Sequence, residues 1–279
     1  VMCRVLEVPR SSYYAWRTRP PSARERENGR LLAEIREIYA ASGGAYGSPR
    51  IHDALQKRGW RCGHKRVARL MRQAGLVGQQ TRTWHPRTTQ SDPGRTVAPD
   101  RLQRDFSAER PNEKWVSDIT YIETAEGWLY LTAVLDLYSR RVIGWSMADH
   151  LRTELVLQAL QMAVACRGDA AGVIHHSDRG TQYTSDAFQD RLEAEGILPS
   201  MGRTGDCYDN AVAESFFATL KSECVQARVF ATRQVARTAI FKYIETFYNT
   251  WRSHSTLDYA SPIEFEDLYE AQAVAFTLT

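Results

Sequence analysis

Several features that often reveal a protein's location or stabilising chemistry are missing from this sequence of 279 residues. No hydrophobic run approaches the roughly 20 residues of a membrane-spanning helix. No signal peptide is recognisable, so we expect no membrane partner. The five cysteines are scattered and contain no Cys-x-x-Cys pair, which argues against a disulfide framework and against structural zinc. These absences are typical of a protein of the reducing cytoplasm.

The positive and negative charges are unevenly distributed along the chain. Residues 1–104 contain 21 Lys and Arg against 8 Asp and Glu, a net charge of +13, whereas residues 105–279 contain 15 against 25, a net charge of −10. An excess of this size is more than solubility requires. The first part therefore predicts a module that binds a polyanion, and the second an acidic part suited to metal ions.

Residues 31–78 have the pattern of a small all-α module. A second helix begins at Ser48-Pro49, with proline in the first turn, and a third spans His64–Ala74. The third helix directs several basic side chains away from its apolar side, namely Lys65, Arg66, Arg69 and Arg72. Two short helices, the second of them basic, are typical of a DNA-binding helix-turn-helix, although basic amphipathic helices also occur in proteins that bind no DNA.

The remaining segments divide into two flanking pieces and one large α/β part. Residues 1–30 read as an N-terminal helical segment without an assigned function, and residues 79–111 read as an extended basic linker. Residues 112–270 alternate strands and helices, which predicts a mixed α/β sheet with flanking helices and a C-terminal helix. Strands are expected at 115–124, 128–137, 142–147, 172–177 and 197–201. Helices are expected at 153–166, from 185, at 209–221 with Asp209 as the cap, and at about 233–252. Trp115 and Trp128 are expected in the core.

Three acidic residues occupy unusual positions in this α/β part. Asp118 lies inside an apolar strand pattern, and Asp178 directly follows another, where a buried charge is costly unless it binds a partner. Glu214 lies on the helix expected at 209–221. Hard divalent cations bind oxygen ligands of this kind, supplied by separate rigid elements. In a chain with 33 acidic residues, a triplet with any given spacing also arises by chance.

Four other side chains are candidates for the site or for DNA contact. Lys221 shares a helix face with Glu214 about 10.5 Å along the axis, which favours a phosphate contact over a solvated lysine. Arg252 and His254 either contact DNA or cap the last long helix. For His176, the sequence is equally compatible with a role in the site and with a structural role.

Five motifs spread over nearly the whole chain resemble those of one family. They are Tyr46-Gly-Ser-Pro-Arg-Ile51, Trp115-Val-Ser-Asp-Ile-Thr-Tyr121, His176-Ser-Asp-Arg-Gly-Thr-Gln-Tyr183, Asp209-Asn-Ala-Val-Ala-Glu-Ser-Phe-Phe217 with Leu220-Lys221, and Tyr248-Asn-Thr-Trp-Arg-Ser-His254 with Ser261-Pro262. Together they resemble the DDE transposases of bacterial insertion sequences of the IS-three family, specifically the product of the second reading frame. The sequence departs from the family's pattern at Thr181 and Asp258, where Ser and Gly are expected.

The resemblance implies a ribonuclease H-like core related to retroviral integrases, in which an Asp-Asp-Glu triad binds two divalent ions. Carried over to this chain, the triad is Asp118, Asp178 and Glu214, with 59 and 35 residues between successive members. The implied cofactors are two Mg²⁺ ions, for which Mn²⁺ substitutes. Two such ions can act on both the attacking and the leaving oxygen of a phosphodiester. A freed 3′ hydroxyl would then attack a second phosphate and join the strands.

The resemblance also implies the partners. The substrates are the element's inverted-repeat ends, processed through a circular intermediate, and target DNA. We expect a homo-oligomer assembled on DNA in the bacterial cytoplasm, associated with the nucleoid, and fused to or associated with an upstream first-reading-frame product. Two other functions stay open: a DNA-binding regulator with an inactive core, and a ribonuclease H-like nuclease without strand transfer. The intact triad argues against the first, and the basic segment before residue 112 against the second.

Overall fold

The chain forms two compact units, Val1–Gln79 and Gln80–Thr279. The computed structural model describes residues 2–5, 7–79, 98–202, 210–225 and 229–277. Within these ranges no helix combines the length and the apolar character needed to cross a membrane. The helices of the first unit are α1 (Met2–Val5), α2 (Arg10–Thr18), α3 (Ala23–Ala41), α4 (Ser48–Lys57) and α5 (His64–Gln73).

Helix α3 begins earlier than the sequence analysis predicted. The Ser22 hydroxyl accepts a hydrogen bond from the Glu25 backbone N–H at 3.2 Å, and the Glu25 carboxylate accepts one from the Ser22 backbone N–H at 2.7 Å. This reciprocal capping box satisfies two backbone donors that the first turn leaves without partners. The expected boundary at residue 30 therefore falls inside a helix.

Helices α3, α4 and α5 pack around one small core. The buried side chains are Leu31, Ile35 and Ile38 of α3, Ile51 and Leu55 of α4, and Val67, Leu70 and Met71 of α5. α4 begins at Ser48 with Pro49 in its first turn, as expected. The predicted all-α module with a helix-turn-helix arrangement is confirmed.

The second unit is built on a mixed sheet of five strands. They are β1 (Lys114–Thr124), β2 (Gly127–Asp136), β3 (Val142–Ala148), β4 (Ile174–Ser177) and β5 (Leu198–Met201), in the spatial order β3-β2-β1-β4-β5. The first three strands pair antiparallel, whereas β4 runs parallel to both β1 and β5. The predicted mixed sheet is confirmed, and β1 lies at its centre.

Helices cover the sheet and follow it along the chain. They are α6 (Thr153–Arg167), α7 (Asp186–Ala194), α8 (Ala211–Leu220), α9 (Arg233–Lys242) and α10 (Pro262–Thr277). Helix α8 continues into a π-helical turn at Lys221–Val225, and α9 continues into a π-helical segment at Tyr243–Tyr248. The expected single helix from 233 to 252 therefore changes its hydrogen-bonding pattern after Lys242. Helix α10 is not among the helices expected from the sequence, and it extends beyond residue 270, the predicted end of the α/β part.

Two hydrophobic clusters lie on opposite faces of the sheet. Trp115 belongs to the cluster with α6 and α7, and its neighbour Val116 to the cluster with α8 and α9, because successive side chains of a strand point to opposite faces. Phe217 is also buried in the second cluster.

Two further expectations for this unit were wrong. Trp128 is 48% exposed, because it pairs with Glu123 near the hairpin turn, at the end of the strand. Its ring lies 5.6 Å from the Tyr121 ring between centroids. The end of the expected linker is also packed, since Leu102 is buried in the core of the second unit. The earlier part of the linker, residues 80–97, lies outside the described residues.

Asp258, one of the two departures from the family's pattern, lies at a left-handed backbone position with φ of 49°. Glycine adopts this conformation without steric cost, and aspartate is among the few other residues that tolerate it. The substitution is therefore compatible with the turn, and it does not touch the candidate site.

Candidate active site

Asp118 lies in β1, opposite Ala133 of β2. Its carboxylate Oδ1 accepts a hydrogen bond from the Ile119 backbone N–H at 2.7 Å. The Thr132 hydroxyl donates to the Asp118 backbone carbonyl at 3.1 Å. The carboxylate is therefore oriented by its own strand, and the backbone that carries it is tied to β2.

Asp178 directly follows β4, the parallel neighbour of β1. Its Oδ1 accepts a hydrogen bond from the Gly180 backbone N–H at 3.0 Å. A Cβ atom at position 180 would lie only 3.0 Å from that same oxygen and 3.1 Å from Oε1 of Gln182. Glycine at this position therefore leaves room for the carboxylate to keep its orientation.

Glu214 lies in the first turn of α8, and the start of this helix is attached to β1. The buried side-chain amide of Asn210 donates to the Ser117 backbone carbonyl at 3.0 Å. Ser117 is the neighbour of Asp118, so this bond joins the helix of one acidic residue to the strand of another. Asp209, the expected helix cap, lies outside the described residues.

The electrostatics show that the three acidic residues lie near one another. Burial raises the pKa of Asp118 well above its usual value, and the negative charges of Asp178 and, more weakly, Glu214 raise it further. The hydrogen bond from Ile119 and the charge of Lys221 act in the opposite direction. The structure thus brings together the residues that the sequence analysis selected from strands and a helix far apart along the chain.

Lys221 is half-buried, not a solvated surface lysine. It begins the π-helical turn that follows α8, and its Nζ lies 5.5 Å from the centroid of the Tyr121 ring. Burial lowers the pKa of Lys221, and the nearby charge of Asp118 opposes that shift. A π-helical turn is often found at functional sites, and here it directs an ammonium group towards β1.

The residues of the site fit a divalent cation in chemistry and in charge. All three acidic side chains offer hard oxygen ligands, and their mutual repulsion would be relieved by a cation. Within the described ranges, however, no three His, Cys, Asp or Glu side chains already form a cluster that could hold an ion.

Tyr183 belongs to this site but was not singled out by the sequence analysis. It is buried, and its hydroxyl lies 3.3 Å from the Thr132 hydroxyl. Burial raises the pKa of Tyr183, and the charges of Asp118 and Asp178 raise it further. Its position at the end of the motif that begins at His176 was the available signal.

Comparisons with known proteins identify the family. Residues 25–84 match the model of an HTH-like domain, and residues 108–207 and 214–268 match two models of an integrase core domain. The chain is 42% identical over 268 residues to "Transposase InsF for insertion sequence IS3A" of Escherichia coli K12, a match that covers 95% of this chain and 93% of the relative. The chain belongs to the IS3 family of transposases. The predicted family and function are thereby confirmed: it is a polynucleotidyl transferase with an integrase catalytic core.

Solved structures show more distant similarity. One is a chain from the simian T-cell lymphotropic virus intasome in complex with the PP2A regulatory subunit B56 gamma. The match covers 83% of this chain and 74% of that chain, with 14% identity and a TM-score of 0.48. Another is the HTLV-2 integrase catalytic core domain in complex with magnesium. The match covers 57% of this chain and 99% of that chain, with 16% identity and a TM-score of 0.43.

Arg252 and His254 of this transposase lie inside the second unit. Both are buried, and Arg252 forms an ion pair with Glu223 at 2.7 Å. His254 lies 3.4 Å from the Arg252 guanidinium and packs against the Tyr248 ring. The structure therefore favours the structural alternative for these two residues and does not support the predicted DNA contact.

The basic residues of α5 differ in their availability. Lys65, Arg69 and Arg72 are exposed. The guanidinium of Arg66 is instead engaged within the unit, by Glu27 at 3.0 Å and by the Asn28 side chain at 2.9 Å. The first three residues are therefore better placed than Arg66 to reach a phosphate.

His176 is buried beside the site. Its Nδ1 lies 2.8 Å from the Ser200 hydroxyl on the neighbouring strand β5. This contact ties β4 to β5 immediately before Asp178. It supports the structural alternative for this histidine.

Proposed function

We propose that Asp118, Asp178 and Glu214 are the catalytic, metal-binding residues with which this transposase cleaves and joins DNA strands at insertion-sequence ends. The observation that carries the proposal is that the elements bearing the three carboxylates meet. Asp118 lies on β1, and Asp178 directly follows β4, the parallel neighbour of β1. The helix of Glu214 is joined at its start to β1 by the hydrogen bond from Asn210 to the Ser117 carbonyl. A fold gains no stability from such an arrangement of carboxylates. Three carboxylates on separate elements that meet in this way are expected if they bind a cation during function.

The proposed cofactors are two Mg²⁺ ions, with Mn²⁺ as a substitute. The ligands are all carboxylate oxygens, which suit these ions better than softer metals. Asp118, Asp178 and Glu214 would together hold the ions. When bound, the ions would polarise the attacking oxygen and neutralise the charge that develops on the leaving 3′ oxygen.

The protein's own side chains position this chemistry. The Ile119 backbone N–H orients the Asp118 carboxylate, and the Gly180 backbone N–H orients that of Asp178. Lys221 supplies a cation at the edge of the acidic cluster, where it would bind a phosphate next to the scissile one. Its half-buried position limits the directions in which the ammonium group can point.

The proposed DNA contacts of the first unit are the exposed residues Lys65, Arg69 and Arg72. Helix α5 is the second helix of the helix-turn-helix, the position from which such modules enter the major groove. Contacts from basic side chains to phosphates release counterions, so binding should weaken steeply as the salt concentration rises.

The proposed setting follows from these substrates. The transposase would act in the bacterial cytoplasm, on DNA of the nucleoid, because both the inverted-repeat ends and the target are DNA. An element has two ends to be processed together, which favours a homo-oligomer assembled on DNA. Fusion to, or association with, an upstream first-reading-frame product belongs to the same proposal.

The test uses labelled element ends incubated with the full chain and Mg²⁺, and it resolves nicked from joined strands. We expect both products with Mg²⁺ or Mn²⁺, and neither in EDTA. With Ca²⁺ we expect assembly on DNA with little chemistry. Nicking without joining would favour a ribonuclease H-like nuclease, and binding without nicking would favour a DNA-binding regulator. Full activity in EDTA would contradict the metal mechanism.

A further inference from the structure

A buried cluster of charged and aromatic side chains lies behind the segment that carries Glu214 and Lys221. The Arg252 guanidinium binds the Glu223 carboxylate through two hydrogen bonds, from Nη2 to Oε1 at 2.7 Å and from Nε to Oε2 at 2.8 Å. The Tyr243 hydroxyl donates to the same carboxylate at 2.8 Å. The side chains of Arg252 and Glu223 are only 6% and 7% exposed.

This cluster is fixed to the sheet on its other side. The Asn249 side chain exchanges two hydrogen bonds with the backbone of Val142 at the start of β3, at 3.0 and 2.9 Å. Asn249 is three residues before Arg252, and its backbone carbonyl also accepts from the Ile263 N–H at 3.1 Å. The position of Arg252 is therefore determined by the sheet and by α10.

The same segment contacts α8 at a second point. The Tyr248 ring packs edge-on against Phe216 with the centroids 4.9 Å apart, and the Arg252 guanidinium lies 5.7 Å from the centroid of the Tyr248 ring. Phe216 follows Glu214 by two residues, and Glu223 follows Lys221 by two. Two residues after Glu214 and two residues after Lys221, the chain therefore packs against the segment that carries Tyr248 and Arg252.

We propose that Arg252 is a positioning residue of the transposase, which acts through Glu223 to hold Glu214 and Lys221 in place against Asp118. The inference rests on the proposed function of those residues. A planar guanidinium that binds a carboxylate through two parallel bonds fixes its orientation as well as its distance. The five-residue π-helical turn has weaker intrinsic preference than an α-helix, so an external contact is needed to fix the direction of Lys221.

The test compares two buried arginines that both bind carboxylates. Arg252→Lys keeps the positive charge but loses the two-bond geometry. Arg167→Lys is the matched control, because Arg167 is also buried and binds Asp136 and Glu266 without contacting the π-helical turn. Both variants should lower the unfolding temperature. Glu223→Gln, which keeps the shape of the side chain, is a second test of the pair in case Arg252→Lys folds poorly.

One readout does not depend on catalysis. Cys224 adjoins Glu223 and is 8% exposed, so its rate of alkylation, measured by mass spectrometry of the Cys224 peptide, reports how firmly the turn is held. We expect Arg252→Lys to raise this rate clearly above that of the wild type. Arg167→Lys should leave the rate within about twofold.

The second readout is strand cleavage below the unfolding temperature of each variant. Arg252→Lys should reduce kcat by about 10- to 100-fold, because a misplacement of about 1 Å has effects of this size. Affinity for end DNA should fall no further than it does in Lys221→Ala. Arg167→Lys should keep nearly normal turnover and affinity. Equal effects of both arginine variants on labelling and turnover would overturn the proposal. So would normal turnover in Arg252→Lys and Glu223→Gln.

Failure of the proposed function would look different. If Glu214→Gln kept normal turnover, the triad assignment would be wrong, whatever the labelling of Cys224 showed. If Glu214→Gln were inactive and Arg252→Lys fully active, the triad would stand and the positioning role would fall.

Discussion

The side-chain amide of Asn210 donates a hydrogen bond to the backbone carbonyl of Ser117, across 3.0 Å. This one contact joins the start of the helix that carries Glu214 to the residue that precedes Asp118. Asp118 and Glu214 belong to elements nearly a hundred residues apart along the chain. The distance between their carboxylates therefore depends on such tertiary contacts.

Asn210→Ala should therefore lower the rate of strand cleavage strongly in a protein that still folds. Loss of the buried hydrogen bond is expected to cost about 1–3 kcal/mol of the free energy of unfolding. We expect turnover to fall about tenfold or more, because Glu214 is no longer held at a fixed distance from Asp118. Urea unfolding and cleavage of a labelled end, measured on the same preparation, check this. If the free energy of unfolding fell by the expected amount while cleavage stayed unchanged, the bond would matter only for folding.

Lys221→Ala should weaken binding of the element end and reduce joining while sparing metal binding. The reason is that Lys221 lies beside the acidic cluster and presents a single positive charge there. Lys221→Arg should keep much of the function, since a lone phosphate contact needs charge more than fixed geometry. End binding and strand joining are measured side by side. Unchanged values in Lys221→Ala would restrict the site to the carboxylates.

Stability at mildly acidic pH should depend on His175. This residue is buried, and burial lowers its pKa to about 3. The unfolded chain takes up a proton near pH 6.5 whereas the folded chain does not, so the contribution of His175 is present above that pH and is lost as the pH falls. The expected loss is about 1.4 kcal/mol per pH unit below 6.5.

His175→Leu should flatten this dependence, as measured by urea unfolding at pH 7.5 and pH 5. The matched control is His150→Leu, on the connection between β3 and α6, which should leave the dependence as it is in the wild type. If the wild type and His175→Leu lost the same stability between these two pH values, the histidine would have to accept a proton in the folded state.

Arg69→Ala should weaken DNA binding, because Arg69 is exposed on α5. It should also lower the slope of log affinity against log salt concentration by about the contribution of one phosphate contact. Arg66→Ala should have a smaller effect on affinity, since the Arg66 guanidinium is engaged by Glu27. Arg58→Ala is the control, as Arg58 already binds Glu34 and Glu37. Affinity measured over a range of salt concentrations decides this. A larger loss in Arg66→Ala than in Arg69→Ala would contradict the assignment.

The sequence alone predicted the elements whose signals are local. Alternation of apolar residues located β1 and β2, and the Ser-Pro pair located the start of α4. The unusual position of Asp118 inside an apolar strand selected it as a site residue before any comparison. The 35-residue spacing then connected Asp178 with Glu214 through the resemblance.

Features that depend on distant partners were not predictable in this way. The ion pair of Arg252 with Glu223 joins residues 29 apart, and no periodicity indicates that either is buried. Trp128 was misplaced because an aromatic residue in a strand is equally compatible with a core and with the end of a hairpin. The start of α3 is a different case, because the spacing of Ser22 and Glu25 is that of a capping box and is a local signal in the sequence.

The central claim is that three carboxylates perform the chemistry of this transposase. Its most direct test is strand cleavage and joining of a labelled element end with Mg²⁺ by Asp118→Asn, Asp178→Asn and Glu214→Gln. The exposed Glu193→Gln of α7 is the control. We expect each triad variant to lose both products while DNA binding and folding persist, and Glu193→Gln to behave as the wild type. Near-normal turnover in any one of the three would contradict the assignment.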